Sequence, residues 1–292
     1  MNPRVLDRAS FPWRLRSMEE PPESVTVTGD IEAAGVRTIA IVGSRTISPI
    51  GYDWVRDLAR ECAKRGAVVV SGGAVGADRA AHEGALSVKN GRTWAVLGTG
   101  CLHEYPNPDE TNHDDIYARI ARRPTSSLVW PFPADTKART ANFHYRNRIL
   151  VALADLVVVA QARLISGTIN AARHAREADK EIWVVPASPW EPGFEGSWAE
   201  FHRGARVLHN RDAFLNEALP NAPIENTEEE RELRSMNDTE VLLLQAASRS
   251  PMHVDDLCDA AGLSPSAVMT ALLTLASEHV LVEGPPGYYR KG

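Results

Sequence analysis

The 292-residue chain lacks the marks of several protein classes. No stretch approaches 18 uninterrupted apolar residues, so no transmembrane helix is expected. Met1 to Leu15 carries scattered arginine and proline with no apolar h-region, which argues against a signal peptide and leaves the cytoplasm as the expected location. Cysteine is scarce: Cys62, Cys101 and Cys258 lie far apart with no CxxC pair. That excludes a disulfide framework or a structural zinc site of the usual spacing, and it suits a reducing compartment. The histidines form no HExxH or other ligand pair at helical spacing, so no metal is expected. GxxxxGK[ST], GxGxxG and GxSxG are all missing, as are a Ser-His-Asp ordering and a paired-carboxylate signature. The chain therefore reads as a binding protein with no cofactor and no chemistry of its own.

What charge there is lies unevenly. The net value of −6 looks wrong for a nucleic-acid binder. Between residues 225 and 240, however, Glu225, Glu228, Glu229, Glu230, Glu232, Asp238 and Glu240 face only Arg231 and Arg234. Residues 119–148 are the opposite, with Arg119, Arg122, Arg123, Lys137, Arg139, Arg146 and Arg148 against Asp135 alone. Phosphate binding depends on such a local patch and not on the whole-chain sum.

Short apolar runs alternate with helical patterns from residue 37 to about 210. Thr38–Val42, Ala67–Val70, Trp94–Leu97, Leu156–Val159 and Ile182–Val185 read as buried strands, with Ser127–Trp130 as a further short one. Helices are expected over Gly51–Lys64, Asp78–Val88, Arg146–Ala154 and Gly167–Ala178. The alternation predicts an α/β fold, an extended Rossmann-like parallel sheet covered on both faces. Residues 1–36 form an N-terminal extension, 37–215 the Rossmann-like domain and 216–237 an acidic linker. Residues 238–292 form a small winged-helix domain of three helices and a hairpin. Its expected recognition helix, Ser264–Ser277, has no basic side chain, so a protein-contact or regulatory role is expected in place of duplex reading.

Two constellations point to a function. Gly43-Ser44-Arg45, Ser71 to Gly76 and Ser166-Gly167-Thr168 are glycine loops at strand ends. There, backbone N–H groups and helix N-termini meet phosphates. Phe143-His144-Tyr145-Arg146-Asn147-Arg148-Ile149 packs two aromatics and two arginines at a helix start. Single-strand binders use that mixture: cations for the backbone and ring faces for the bases. Arg45, Arg146 and Arg148 are expected on phosphates and Phe143 on a base. Asp78 and His82, four apart on one helix, read as a capping Asp and a satisfied buried His.

Taken in order, these segments resemble the DNA-processing protein A family, DprA, also called Smf. The resemblance rests on Phe11-Pro12-Trp13-Arg14-Leu15, Ile41 to Arg45 and Ser71 to Asp78 with His82. It continues in Ala95 to Gly100 before Tyr105-Pro106, then Phe143 to Ile149, and Ser166-Gly167. It implies an extended Rossmann fold that acts as a homodimer, protects incoming single-stranded DNA and loads a RecA-type recombinase during natural transformation. It implies Ser44, Arg45, Gly72, Gly73, Phe143, Arg146, Asn147, Arg148, Ser166 and Gly167 as the DNA-binding residues. Three departures stand out: His144 replaces a family proline, Thr140 falls where the family has lysine, and Gln161 stands at a position usually Glu. The competing readings are a nucleotide-binding or phosphoribohydrolase-type enzyme on the same sheet, and a transcription regulator using the winged helix. The former would be expected to carry a glutamate in a PGGxGTxxE segment, and Ser166 to Ala172 contains none.

Overall fold

Runs of β-branched residues with no polar break build the centre of the molecule, because strands covered on both faces have no solvent side to alternate with. The computed structural model describes residues 3–103, 116–188, 191–220, 237–248, 250–277 and 280–291. The chain divides into two units, residues 1–224 and 225–292. The first carries strands β1 (Arg4–Asp7), β2 (Ser24–Val27), β3 (Thr38–Val42), β4 (Val68–Ser71), β5 (Arg92–Val96), β6 (Ser127–Trp130), β7 (Leu156–Val159), β8 (Glu181–Val184) and β9 (Arg206–Val207). Its helices are α1 (Trp13–Arg16), α2 (Pro49–Lys64), α3 (Ala77–Ser87), α4 (Ile116–Ala121), α5 (Thr140–Ala152), α6 (Gly167–Glu177), α7 (Glu195–His202) and α8 (Arg211–Ala218).

One nine-stranded sheet runs in the order β1-β2-β6-β5-β4-β3-β7-β8-β9. From β6 through β9 all neighbours are parallel, and β1 and β2 add an antiparallel edge. Ile39, Ile41, Val69 and Val158 pack towards α2, α3 and α8 on one face. The alternate residues Ala40, Val42, Val70 and Val157 pack towards α5 and α6 on the other. Helix starts follow ordinary rules: Ser48 caps α2 by accepting from the Gly51 N–H, with Pro49 at its first position.

The segment read as an N-terminal extension supplies β1, α1 and β2 and is continuous with the main sheet. It is held from below as well. Arg14 is buried and forms an ion pair with Asp155 at 2.9 Å, while Asp155 accepts the Thr38 N–H at 2.8 Å. Burial pushes the Asp155 carboxyl up, but the hydrogen bonds from Arg14 and Thr38 prevail and hold it below the usual carboxylate range. Helix α5 begins at Thr140, a turn and a half ahead of the expected Arg146, so Phe143 sits inside it.

The second unit is a winged helix. Its helices are α9 (Asp238–Ala246), α10 (Val254–Ala261) and α11 (Pro265–Ser277), with strands β10 (Met252–His253), β11 (Leu281–Glu283) and β12 (Tyr288–Lys291). A capping box between Asn237 and Glu240 starts α9, and Gly262, at φ 65°, ends α10 in the left-handed region. Leu243, Leu257, Val268, Leu272, Leu275 and Leu281 form its core. Most of the expected acidic linker, residues 221–236, and the Tyr105-Pro106 pair lie outside the described residues.

Candidate functional site

The strand order sets where a ligand can sit. From β3 the chain moves outward to β6, then returns to place β7 beside β3, so the direction of winding reverses between those two strands. Loops leaving their C-terminal ends diverge there and open a crevice, the usual ligand position in such sheets. A cleft of about 430 Å³ occupies it. Gly43 to Thr46 line it from β3, Thr140, Phe143, His144, Arg146 and Asn147 from α5, and Gln161 to Arg163 with Ser166 and Gly167 from the loop after β7.

Glycine shapes the floor at two places. At Gly76, φ is +79°, and the next residue, Ala77, donates its N–H to the Ser44 carbonyl at 3.1 Å, tying the first two loops together. A Cβ on Gly72 would overlap both the Arg146 guanidinium and the Asp78 carboxylate. Gly72 and Gly73 thus sit beneath the cleft and not in its lining, where they were expected as contacts. Beneath them His82 is buried, its Nε2 donating to the Gly72 carbonyl at 2.8 Å and its Nδ1 2.7 Å from Thr93 Oγ1. Burial lowers its pKa to about 4, so it is neutral and satisfied, as the sequence reading had it. Asp78 departs from that reading: it accepts the Ala74 N–H at 3.2 Å and faces Arg146, while Gly76 occupies the cap position of α3.

Arg146 is the buried cation of the cleft, 6% exposed. Burial pushes its guanidinium pKa down and the Asp78 carboxyl up, and their mutual attraction opposes both shifts. Its Nε has no hydrogen-bond partner among the described residues. A buried donor left unpaired costs ~1–3 kcal/mol, and more when charged, so Arg146 is a lining residue with a donor still unspent. Above it the Arg45 guanidinium lies 5.5 Å from the Phe143 ring centroid, a cation–π contact. Phe143 is half-buried, with its ring against Gly98, where a Cβ would press into it. Asn147 donates to the Gly167 carbonyl at 3.0 Å, and Ser166 caps α6 by accepting the Ile169 N–H. These two residues hold the positive end of α6 at the cleft wall.

Arg148 is not in this cleft. Residues two apart on a helix do not share a face, and Arg148 points away, paired with Glu20 at 3.2 Å and lying over the Tyr145 ring. It lines a second recess of about 380 Å³ with Arg14, His174 and Lys180. Ser44, Arg45, Phe143, Arg146, Asn147, Ser166 and Gly167 line the one cleft together. Residues the sequence reading did not place at the site also line it: Thr46, Gln161 and Arg163. Only the adjacency of β7 to β3 brings the last two there.

Among the described lining residues Asp78 is the sole carboxylate, and it is buried against Arg146. No cluster of three or more metal-ligating side chains occurs among the described residues. The arrangement offers cations, backbone donors and an aromatic ring, which suit holding a phosphate-bearing chain better than proton transfer.

Comparison with known proteins bears on the whole chain. A family model for DNA recombination-mediator protein A matches residues 4–219, and one for the DprA winged helix domain matches residues 227–275. The chain is similar to protein Smf of Escherichia coli, with 32% identity over 97% of this chain and 76% of that protein. Among solved structures it is similar to DNA processing protein A from Helicobacter pylori, a protein with a described single-stranded DNA binding mode. The identity is 28%, the TM-score 0.66, and the match covers 76% of this chain and 97% of the other. DNA processing protein A from Streptococcus pneumoniae gives 26% identity and a TM-score of 0.64 over 73% and 74% of the two chains.

Proposed function

The chain belongs to the DNA recombination-mediator protein A family, and on that premise we propose that its cleft holds single-stranded DNA for a recombinase. Arg146 takes a phosphate in the floor, Arg45 takes another at the rim, and Phe143 stacks on a base. The observation that carries this reading is the pairing of a buried guanidinium, its Nε unpartnered among the described residues, with an arginine-topped aromatic at the switch point of the sheet. The protein holds and delivers the strand without making or breaking a bond. A RecA-type recombinase as recipient, natural transformation as setting, a homodimer as the working form and the cytoplasm as location come from the family resemblance and belong to the proposal. So does a protein-contact role for the winged helix, where Met269 and Leu273 are exposed one turn apart on α11 and no basic residue accompanies them.

Anisotropy titrations of single- against double-stranded DNA over a salt series test the reading. Single strands should bind more tightly. Arg45→Ala should flatten the slope of log affinity against log salt by about 0.7, the share of one single-strand phosphate contact. Phe143→Ala should cost roughly 1–3 kcal/mol of affinity. Equal affinity for duplex, or two variants indistinguishable from the unaltered chain, would sink it.

A further inference from the structure

Four buried side-chain polar atoms lack a hydrogen-bond partner among the described residues: Trp94 Nε1, Trp183 Nε1, Arg146 Nε and Gln161 Oε1. The two indoles belong to core strands β5 and β8. The other two atoms belong to lining residues of one cleft, and they are complementary in kind, a charged donor and a neutral acceptor.

Gln161 is 8% exposed and held from both sides. The Ala160 N–H donates to the Val42 carbonyl at 2.9 Å, and the Ala162 N–H donates to Ser197 Oγ at 3.1 Å, so the backbone around it is fixed. Its amide nitrogen faces the wall at residues 192 and 193. Nε2 donates to the Pro192 carbonyl at 3.4 Å. The neighbouring residue is Gly193, at φ +87°, where a Cβ would lie 2.9 Å from Nε2, so glycine is what allows the approach. One amide hydrogen is engaged there, and the oxygen is the buried atom with no partner among the described residues.

We propose that Gln161 is a base-contacting residue, whose Oε1 accepts an N–H from the Watson–Crick edge of a nucleobase beside the phosphate taken by Arg146. The inference rests on the single-strand reading and deepens it. Chemistry selects the base as the donor. Phosphates present acceptors only, and a deoxyribose inside a strand has no hydroxyl left, so Oε1 can be satisfied by DNA only through a base. A neutral amide also does this without setting a second negative charge near the phosphate, which a carboxylate at the same position would do.

The experiment compares oligo-dT with the same oligomer carrying N3-methylthymine, which removes the ring N–H that thymine offers. It is run on the full chain and on Gln161→Met, a variant of similar length with no amide. The unaltered protein should bind oligo-dT about three- to tenfold more tightly than the methylated strand. Gln161→Met should lose a similar factor on oligo-dT and bind the two strands alike. Either of two results overturns the proposal: an unaltered chain that does not distinguish the strands, or a folded Gln161→Met that still does. The first needs no variant, so it stands even if Gln161→Met misfolds. An unaltered chain that binds neither strand brings down the single-strand reading itself, an outcome distinct from loss of discrimination alone.

Discussion

Helix α5 passes between two cation-lined recesses that differ in what each cation has left to give. In the lower one every positive side chain is answered. Arg14 holds Asp155 and the Ala33 and Val36 carbonyls, Arg148 holds Glu20, and Lys180 donates to the Ala154 carbonyl at 2.7 Å, while burial lowers the pKa of His174, whose Nδ1 lies 3.0 Å from a Glu177 oxygen. In the upper cleft Arg146 keeps a buried nitrogen without a hydrogen-bond partner among the described residues, and Asp78, the one carboxylate among the described lining residues, is pushed by burial towards its neutral form. Counting charges would rank the two recesses alike. Accounting for each donor separates a structural joint from the proposed binding site.

The sharpest way to break that comparison is Arg146→Ala. It leaves Asp78 buried without a countercharge, so the folded state should lose on the order of 3–5 kcal/mol in chemical denaturation, and single-strand binding should fall with it. Arg146→Lys should recover part of the stability and less of the binding, because it restores the charge without the planar fork. An Arg146→Ala protein as stable as the unaltered chain would mean that the buried pair is not the floor of the site.

A smaller effect concerns pH. His82, beneath the upper cleft, takes its proton near 4 when folded and near 6.5 when unfolded. Between those values the unfolded chain binds more protons, so this contribution is fully present above about pH 6.5 and is lost as pH falls towards 4. The full loss is about 3 kcal/mol. Stability measured across that window should slope more steeply in the unaltered protein than in His82→Gln. Parallel slopes would show that His82 is not buried as neutral imidazole.

Smallest of all is Arg148→Ala. Its pairing with Glu20 is a surface contact, worth about 0–1 kcal/mol. The salt slope of DNA binding should not change. A slope flattened as much as by Arg45→Ala would place the strand over the lower recess as well and erase the distinction between the two.

Arg146 and Arg148 also show where reading the chain alone succeeds and where it stops. The buried parallel strands were legible because each is an unbroken apolar run, and the glycine loops because they end those runs. The cationic segment was legible as a motif, but a motif read as a string does not say that α5 begins at Thr140 and turns its two arginines to opposite sides. Strands β1 and β2 are four residues each, β1 is mostly exposed, and β2 pairs with the distant β6. Ser24 to Val27 does alternate polar and apolar, but four residues are too few to set it apart, and β1 has no clear alternation. Gln161 was visible only as a departure from the family's usual residue. Its free oxygen depends on Pro192 and Gly193 reaching it from another loop, and no local pattern encodes that.

The clasp between Arg14, Asp155 and Thr38 has a practical consequence for trimming the chain. The natural cut by eye falls just before Thr38, where the parallel sheet begins. Such a cut would strip the guanidinium from a half-buried carboxylate at the root of β3 and β7, the two strands whose loops frame the cleft. The shortened protein would be expected to suffer in yield and solubility first, and a weak signal from it would say little about its grip on DNA. A minimal fragment worth measuring starts ahead of β1.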